Sequence, residues 1–161
     1  MTKPIRKYGW VKDKHDERDH IYKMRATPPK QYVPVDLRPM CPPIMDQGEL
    51  GACTAFGTTA MVHFVRNKQK LPNWQPSPLF TYYATRVIEN TVNEDAGAEV
   101  RDALKSTVVY GVVQEDKWKY DISKFTVKPP KEVYTEALKH QTLQYKRLRD
   151  GIDKPSESQF D

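Results

Sequence analysis

Along the chain the apolar positions gather into helical runs separated by proline-bearing connections. Between residues 53 and 66, Phe56, Ala60, Met61, Phe64 and Val65 recur at three- and four-residue spacing, which predicts a helix burying that side. After a loop at 71–75, Ser77-Pro78 is a strong helix start: the serine oxygen caps and the proline fits the first helical position. Leu79, Phe80, Tyr82, Tyr83 and Val87 make the helix that follows amphipathic. Tyr82 and Tyr83 are read as core residues in preference to a ligand-stacking pair. A third helix is predicted from Ala98 to Tyr110, stopped by Gly111. Pro129-Pro130 opens a short helix through Lys139, and weak alternation from Leu143 to Leu148 predicts one exposed or edge strand.

The connections carry their own information. Residues 1–30 are polar with a few aromatic anchors, Tyr8, Trp10 and Tyr22, and by themselves read as a flexible arm. Asp16, Glu17 and Asp19 are taken as a solvated loop pairing with Arg18, and His15 and His20 as surface residues. Pro28-Pro29 and Pro34 frame an extended stretch, Val35 to Arg38 reads as strand-like, and Cys41-Pro42-Pro43-Ile44 stiffens the path beyond it. This divides the chain into an arm or leader at 1–34, a domain at 35–150 and a tail or truncation point at 151–161.

Composition narrows the class. The 161 residues leave room for one domain with a respectable core. No apolar run approaches the roughly 20 residues of a membrane span, and Lys3, Arg6 and Lys7 have no hydrophobic signal region behind them, so no membrane partner is expected and a cytoplasmic site is favoured. The net charge of +5 is spread among 21 acids as a solvated surface. Zinc spacing, a phosphate-cradling glycine loop and a basic patch with interleaved aromatics are all missing, so neither nucleic acid, metal nor cofactor is expected. Both cysteines, Cys41 and Cys53, are expected to be reduced.

The candidate chemistry lies in Asp46-Gln47-Gly48-Glu49-Leu50-Gly51-Ala52-Cys53-Thr54-Ala55-Phe56. Gly48 and Gly51 permit a tight turn that points backbone N–H groups outward and delivers Cys53 onto the first turn of a helix. A free thiol ionises only at roughly pH 8.5, and the positive end of a helix dipole is one of the few devices that activates it as a nucleophile. The Gln47 amide, six residues ahead, adds a donor for an oxyanion. The bland alternative is that Cys53 is a small buried residue at a helix start. His63 stands ten residues on, roughly 15 Å along the helix axis, too far to be the base.

Gln47, Gly48, Gly51, Cys53, Ala55 and Phe56 resemble the active-site segment of papain-like cysteine peptidases, closest to a bacterial and viral branch whose run reads DQGxLGSCTA. Similar YGW and DxRD elements precede the enzyme body there, and a VDLR-like run opens it. Leu50 departs from the vertebrate and plant pattern, which has a cysteine there, so that family's usual disulfide near the site cannot form; Thr54 replaces an aromatic. The run from Asp95 to Ala98 resembles the loop that holds a peptide substrate by its backbone, which implies Gly97 or Ala98 as the partner, a ligand-free turn being the alternative. Residues 113–121, with Glu115, Trp118 and Tyr120, are similar to the segment closing this lobe, Lys119 standing in place of proline.

The resemblance implies an α+β, papain-like fold represented mainly by its helical lobe, with an incomplete β-rich lobe. It implies a peptide or protein substrate cleaved through a thioester, with Cys53 as nucleophile and Gln47 in the oxyanion hole. The histidine and asparagine of that pattern lie about 130 to 150 residues after the cysteine, beyond Asp161. The chain alone is therefore expected to be inactive. It is read as an incomplete peptidase, as a non-catalytic peptide- or partner-binding remnant, or as half of a split enzyme. An apolar face meant for the other lobe implies self-association or a partner lobe.

Overall fold

The longest unbroken burial among the described residues runs from 76 to 86 and includes every one of residues 78–86. They belong to helix α2 (Pro78–Glu89), which starts where proline meets a serine cap: Ser77 Oγ accepts from Phe80 N at 3.2 Å and donates to Trp118 O at 2.5 Å. Asn90, in the left-handed region at φ 58°, ends it. Burying a residue such as Phe80 contributes on the order of 2–3 kcal/mol, and α2 supplies Leu79, Phe80, Tyr82 and Ala84 to the core.

A computed structural model describes residues 8–17 and 34–146. Around α2 stand β1 (Trp10–Val11), α1 (Cys53–Lys68), β2 (Ala98–Glu99), α3 (Val100–Val109) and α4 (Lys131–Ala137). Short 3-10 turns occur at Arg38–Met40, Ile122–Lys124 and Leu138–His140. α1 and α3 pack on α2, while β1 and β2 pair in parallel with Trp10 opposite Ala98 and Val11 opposite Glu99. This is a helical lobe with little strand. No helix among the described residues is long and apolar enough to cross a membrane.

Arg86 fixes the loops at the end of α2. Its side chain is fully buried, and it donates to Tyr82 O at 3.3 Å, to Val92 O and Glu94 O at 3.0 Å each, and to Phe125 O. The guanidinium stacks 4.1 Å over the Tyr82 ring. One cation thus ties the loop after α2 to the turn at 122–125.

Several sequence expectations change. The buried side of α1 is Thr54, Ala55, Thr58, Thr59, Val62 and His63, whereas Met61 and Val65 are 43% and 40% exposed and Phe56, Ala60 and Phe64 are half-buried. Small side chains let α1 approach α2 closely, and the Thr59 hydroxyl is satisfied within its own helix by Ala55 O at 2.9 Å. The third helix begins at Val100, because β1 recruits Ala98 and Glu99 as a strand. Asp13 Oδ1 then accepts from Arg101 N at 3.2 Å in its first turn. Gly111, at φ 77°, follows α3 where any Cβ would lie 1.9 Å from Ala137 O.

Val35 to Arg38 is not a strand. Asp36 Oδ1 accepts from Arg38 N at 3.0 Å and nucleates the 3-10 turn. Residues 143–146 form no strand among the described residues, and Leu143 is 95% exposed. Residues 147–148, the tail at 151–161, and Arg18, Asp19 and His20 lie outside the described residues.

Candidate active site

The turn ahead of α1 is built by its own polar groups. Gly48 takes φ 62°, and Asp46 Oδ1 accepts its N–H at 2.9 Å. The Leu50 carbonyl collects two donors, Gln47 Nε2 at 2.9 Å and Ala52 N at 2.8 Å. Two longer-range bonds secure the turn from outside: Tyr120 Oη donates to Gln47 O at 2.8 Å, and Gly51 N donates to Asp95 Oδ1 and Oδ2 at 3.0 and 3.1 Å. Tyr120 is itself fixed, by Glu115 Oε1 accepting its N–H at 2.6 Å and by the edge of Phe56, ring centroids 4.9 Å apart.

Cys53 is the first residue of α1 and is half-buried. Its N-cap, Ala52, contributes no side-chain bond, and the first turn holds no acid. The N–H groups of that turn have no intrahelical partners, and the positive end of the helix dipole falls at this residue. Cys41 is also unpaired but exposed, its Sγ 3.6 Å from Leu37 O. Chemically, the site offers a thiol, the donors of a helix mouth and the Gln47 amide on the adjoining turn.

Gly97 is buried at φ 75° and donates its N–H to Tyr82 Oη at 3.2 Å. The Ala98 N–H donates to Gly9 O at 2.7 Å, so the backbone donor assigned to a peptide is held by this chain's own N-terminal arm. Gly9 is threaded tightly: a Cβ on it would lie 1.7 Å from Gly51 O, and one on Gly97 would lie 2.0 Å from Gly9 O. Lys14 N, bonded to Glu99 Oε2 at 3.2 Å, continues the arm's attachment.

Two described histidines, His63 and His140, have partners away from this turn. His63 is buried, with Nδ1 3.1 Å from Gln75 Oε1 and Nε2 2.5 Å from Asn73 Oδ1. His140 lies against Trp74, ring centroids 5.0 Å apart, with Nε2 3.7 Å from Glu136 Oε1; His15 is exposed. Burial raises the Glu115 carboxyl above its ordinary range and also raises the Tyr120 phenol. Burial, then the hydrogen bond to Asp95, raises the Tyr82 phenol. Among the described residues no group of three His, Cys, Asp or Glu side chains is placed to hold a metal.

Sequence reasoning missed Tyr120, Tyr82 and Asp95 as supports of the site. Their partners are 73, 13 and 44 residues away along the chain, where no local period reaches.

No family model matches the chain. It is 37% identical to an uncharacterized peptidase C1-like protein of Acanthamoeba polyphaga mimivirus, over 89% of this chain and 52% of that protein. The chain thus spans about half the length of this curated relative. Among solved structures it is similar to xylellain, a cysteine protease from Xylella fastidiosa, with a TM-score of 0.76 and 34% identity over 95% of this chain and 63% of that one. A structure from work on the mite allergens Blo t 1 and Der p 1 aligns with a TM-score of 0.51 over 63% of this chain and 35% of that chain; at 19% identity it shows the fold alone.

Proposed function

Since the chain belongs to the papain-like cysteine peptidase family over the stretch it shares with these relatives, we propose that it supplies the nucleophile half of a thiol peptidase site. The observation that carries this reading is Cys53 at an uncapped helix mouth, on a turn braced by Gln47, Asp95 and Tyr120. With its proton passed to an imidazole, the Cys53 sulfur attacks a peptide carbonyl, and the carbonyl π electrons move onto oxygen. The Gln47 amide and the Cys53 backbone N–H receive that oxyanion. Collapse forms the thioester and breaks the C–N bond, the leaving amine taking a proton from an imidazolium, and water then releases the acid.

The imidazole and the asparagine that orients it belong, on this reading, to a second half outside this chain, and the chain alone is inactive. His63 and His140 have other partners in the lobe. The substrate is an extended peptide, held at the Gly97–Ala98 backbone. It competes with Gly9, which holds the Ala98 N–H at 2.7 Å. A second reading, non-catalytic peptide or partner binding, draws support from this same edge, because it already pairs with an extended segment.

The test is fluorogenic peptide hydrolysis by this chain fused to the C-terminal half of the mimivirus relative. The expected result is turnover that falls by about a thousandfold or more in Cys53→Ala. Turnover that survives Cys53→Ala overturns the proposal. Peptide binding without turnover, indifferent to Cys53→Ala, establishes the second reading in its place.

A further inference from the structure

The turn that presents Cys53 has no covalent tie. Both cysteines of the chain are free. A carboxylate holds the turn instead. Asp95 offers both oxygens to Gly51 N, at 3.0 and 3.1 Å, and its Oδ1 accepts from Tyr82 Oη at 2.6 Å. Tyr82 Oη in turn accepts from Gly97 N at 3.2 Å. Hydrogen bonds therefore run from the loop at 97, through a tyrosine of α2, to the peptide two residues ahead of the thiol.

We propose that Asp95 is a positioning residue for Cys53. By fixing the Gly51 peptide it sets the direction in which Ala52 and Cys53 enter α1, and so the aim of the first-turn N–H groups and of the sulfur. The proposal rests on the reading of Cys53 as nucleophile. Three features favour a dedicated clamp over incidental contact. A Cβ at Gly51 would come within 2.9 Å of Asp95 Oδ1, so glycine is what admits the carboxylate. The phenol that orients Asp95 is buried in the centre of the lobe and stacked under the Arg86 guanidinium at 4.1 Å, so it cannot swing away. Both loops meeting at Asp95, at 51 and 97, are those against which Gly9 is threaded.

The experiment compares wild type with Asp95→Ala, Asp95→Asn and Tyr82→Phe. It measures the alkylation rate of Cys53 relative to Cys41, the exposed thiol serving as internal reference, and hydrogen exchange at the Gly51 amide. In wild type Cys53 outpaces Cys41. The ratio falls about tenfold in Asp95→Ala and by about two- to threefold in Tyr82→Phe, with Asp95→Asn, which keeps an acceptor for Gly51, between them. Exchange at Gly51 accelerates in the same order. A role in stability alone lowers the melting temperature of these variants and leaves the ratio and the Gly51 exchange of the folded protein unchanged, which overturns the proposal. Should Asp95→Ala not fold, the order wild type, Tyr82→Phe, Asp95→Asn decides on its own: equal ratios and equal Gly51 exchange overturn the clamp. A wild-type Cys53 no faster than Cys41 refutes the nucleophile reading, a result distinct from failure of the clamp.

Discussion

α1 and α2 lie side by side, yet they meet their surroundings differently. α2 is enclosed, with every residue from 78 to 86 buried, including a full-length arginine. α1 is covered on one side by α2 and α3 through threonine and alanine, while its more apolar side, Phe56, Ala60, Met61 and Phe64, lines an open groove with Pro42, Pro43, Ile44 and Met45. The difference shows what hydrophobic periodicity reports. On α2 it marks surface covered within the lobe. On α1 it marks surface the lobe leaves open, which under the proposed function a second half covers, and the thiol stands at the end of that helix.

The largest expected effect comes from truncating matched aromatics on the two helices. Phe80→Ala, in the α2 core, is expected to cost about 3–5 kcal/mol, and Phe64→Ala, on the groove side of α1, about 1 kcal/mol or less, both read from urea denaturation. Equal costs would erase the distinction.

A smaller effect concerns the end of α2, where the Glu89 carboxyl is raised to about 7. The causes are burial first and then the negative charges of Asp102 and Glu99, offset in part by the bond from Glu99 N at 2.7 Å. A folded-state pKa above the unfolded one means that the folded chain binds the extra proton. This contribution is therefore complete below the unfolded carboxyl range and is lost as pH rises through about 7. Glu89→Gln keeps an acceptor for Glu99 N and stays neutral. It is expected to flatten the decline in stability and to gain about 1 kcal/mol above pH 8, after allowance for solvent screening. Melting curves between pH 5 and 8 check this; parallel slopes for wild type and variant would contradict it.

The smallest expected change in stability is at Met61, 43% exposed on the groove side of α1. Met61→Glu is expected to alter stability by no more than about 0.5 kcal/mol while reducing self-association of the isolated chain, as measured by light scattering. A wild-type chain that is already monomeric would remove the reason to regard the groove as uncovered surface.

What could be read from the sequence was what neighbouring residues decide. Ser77-Pro78 begins a helix, Gly111 follows the end of one, and the Gly48–Gly51 turn leads into a helix at Cys53, each through chemistry contained in a few residues. The mistaken expectations had local or distant competitors. Asp36 bends its neighbours into a 3-10 turn through a side-chain bond, and Ala98 and Glu99 leave the helix because Gly9 to Val11 pair with them. The candidate site divides the same way. Cys53 and Gln47 stand out within one run, whereas Asp95 and Tyr120 reach it from 44 and 73 residues away.

Limited alkylation of the native protein by iodoacetamide at neutral pH, with each modified cysteine located by peptide mass mapping, decides whether Cys53 is an activated nucleophile. Cys41, which is exposed, is the fair competitor for Cys53, which is half-buried. Label is expected to accumulate on Cys53 first, despite its lower exposure. Label confined to Cys41, with Cys53 reacting only after denaturation, would show a buried structural thiol in place of a nucleophile.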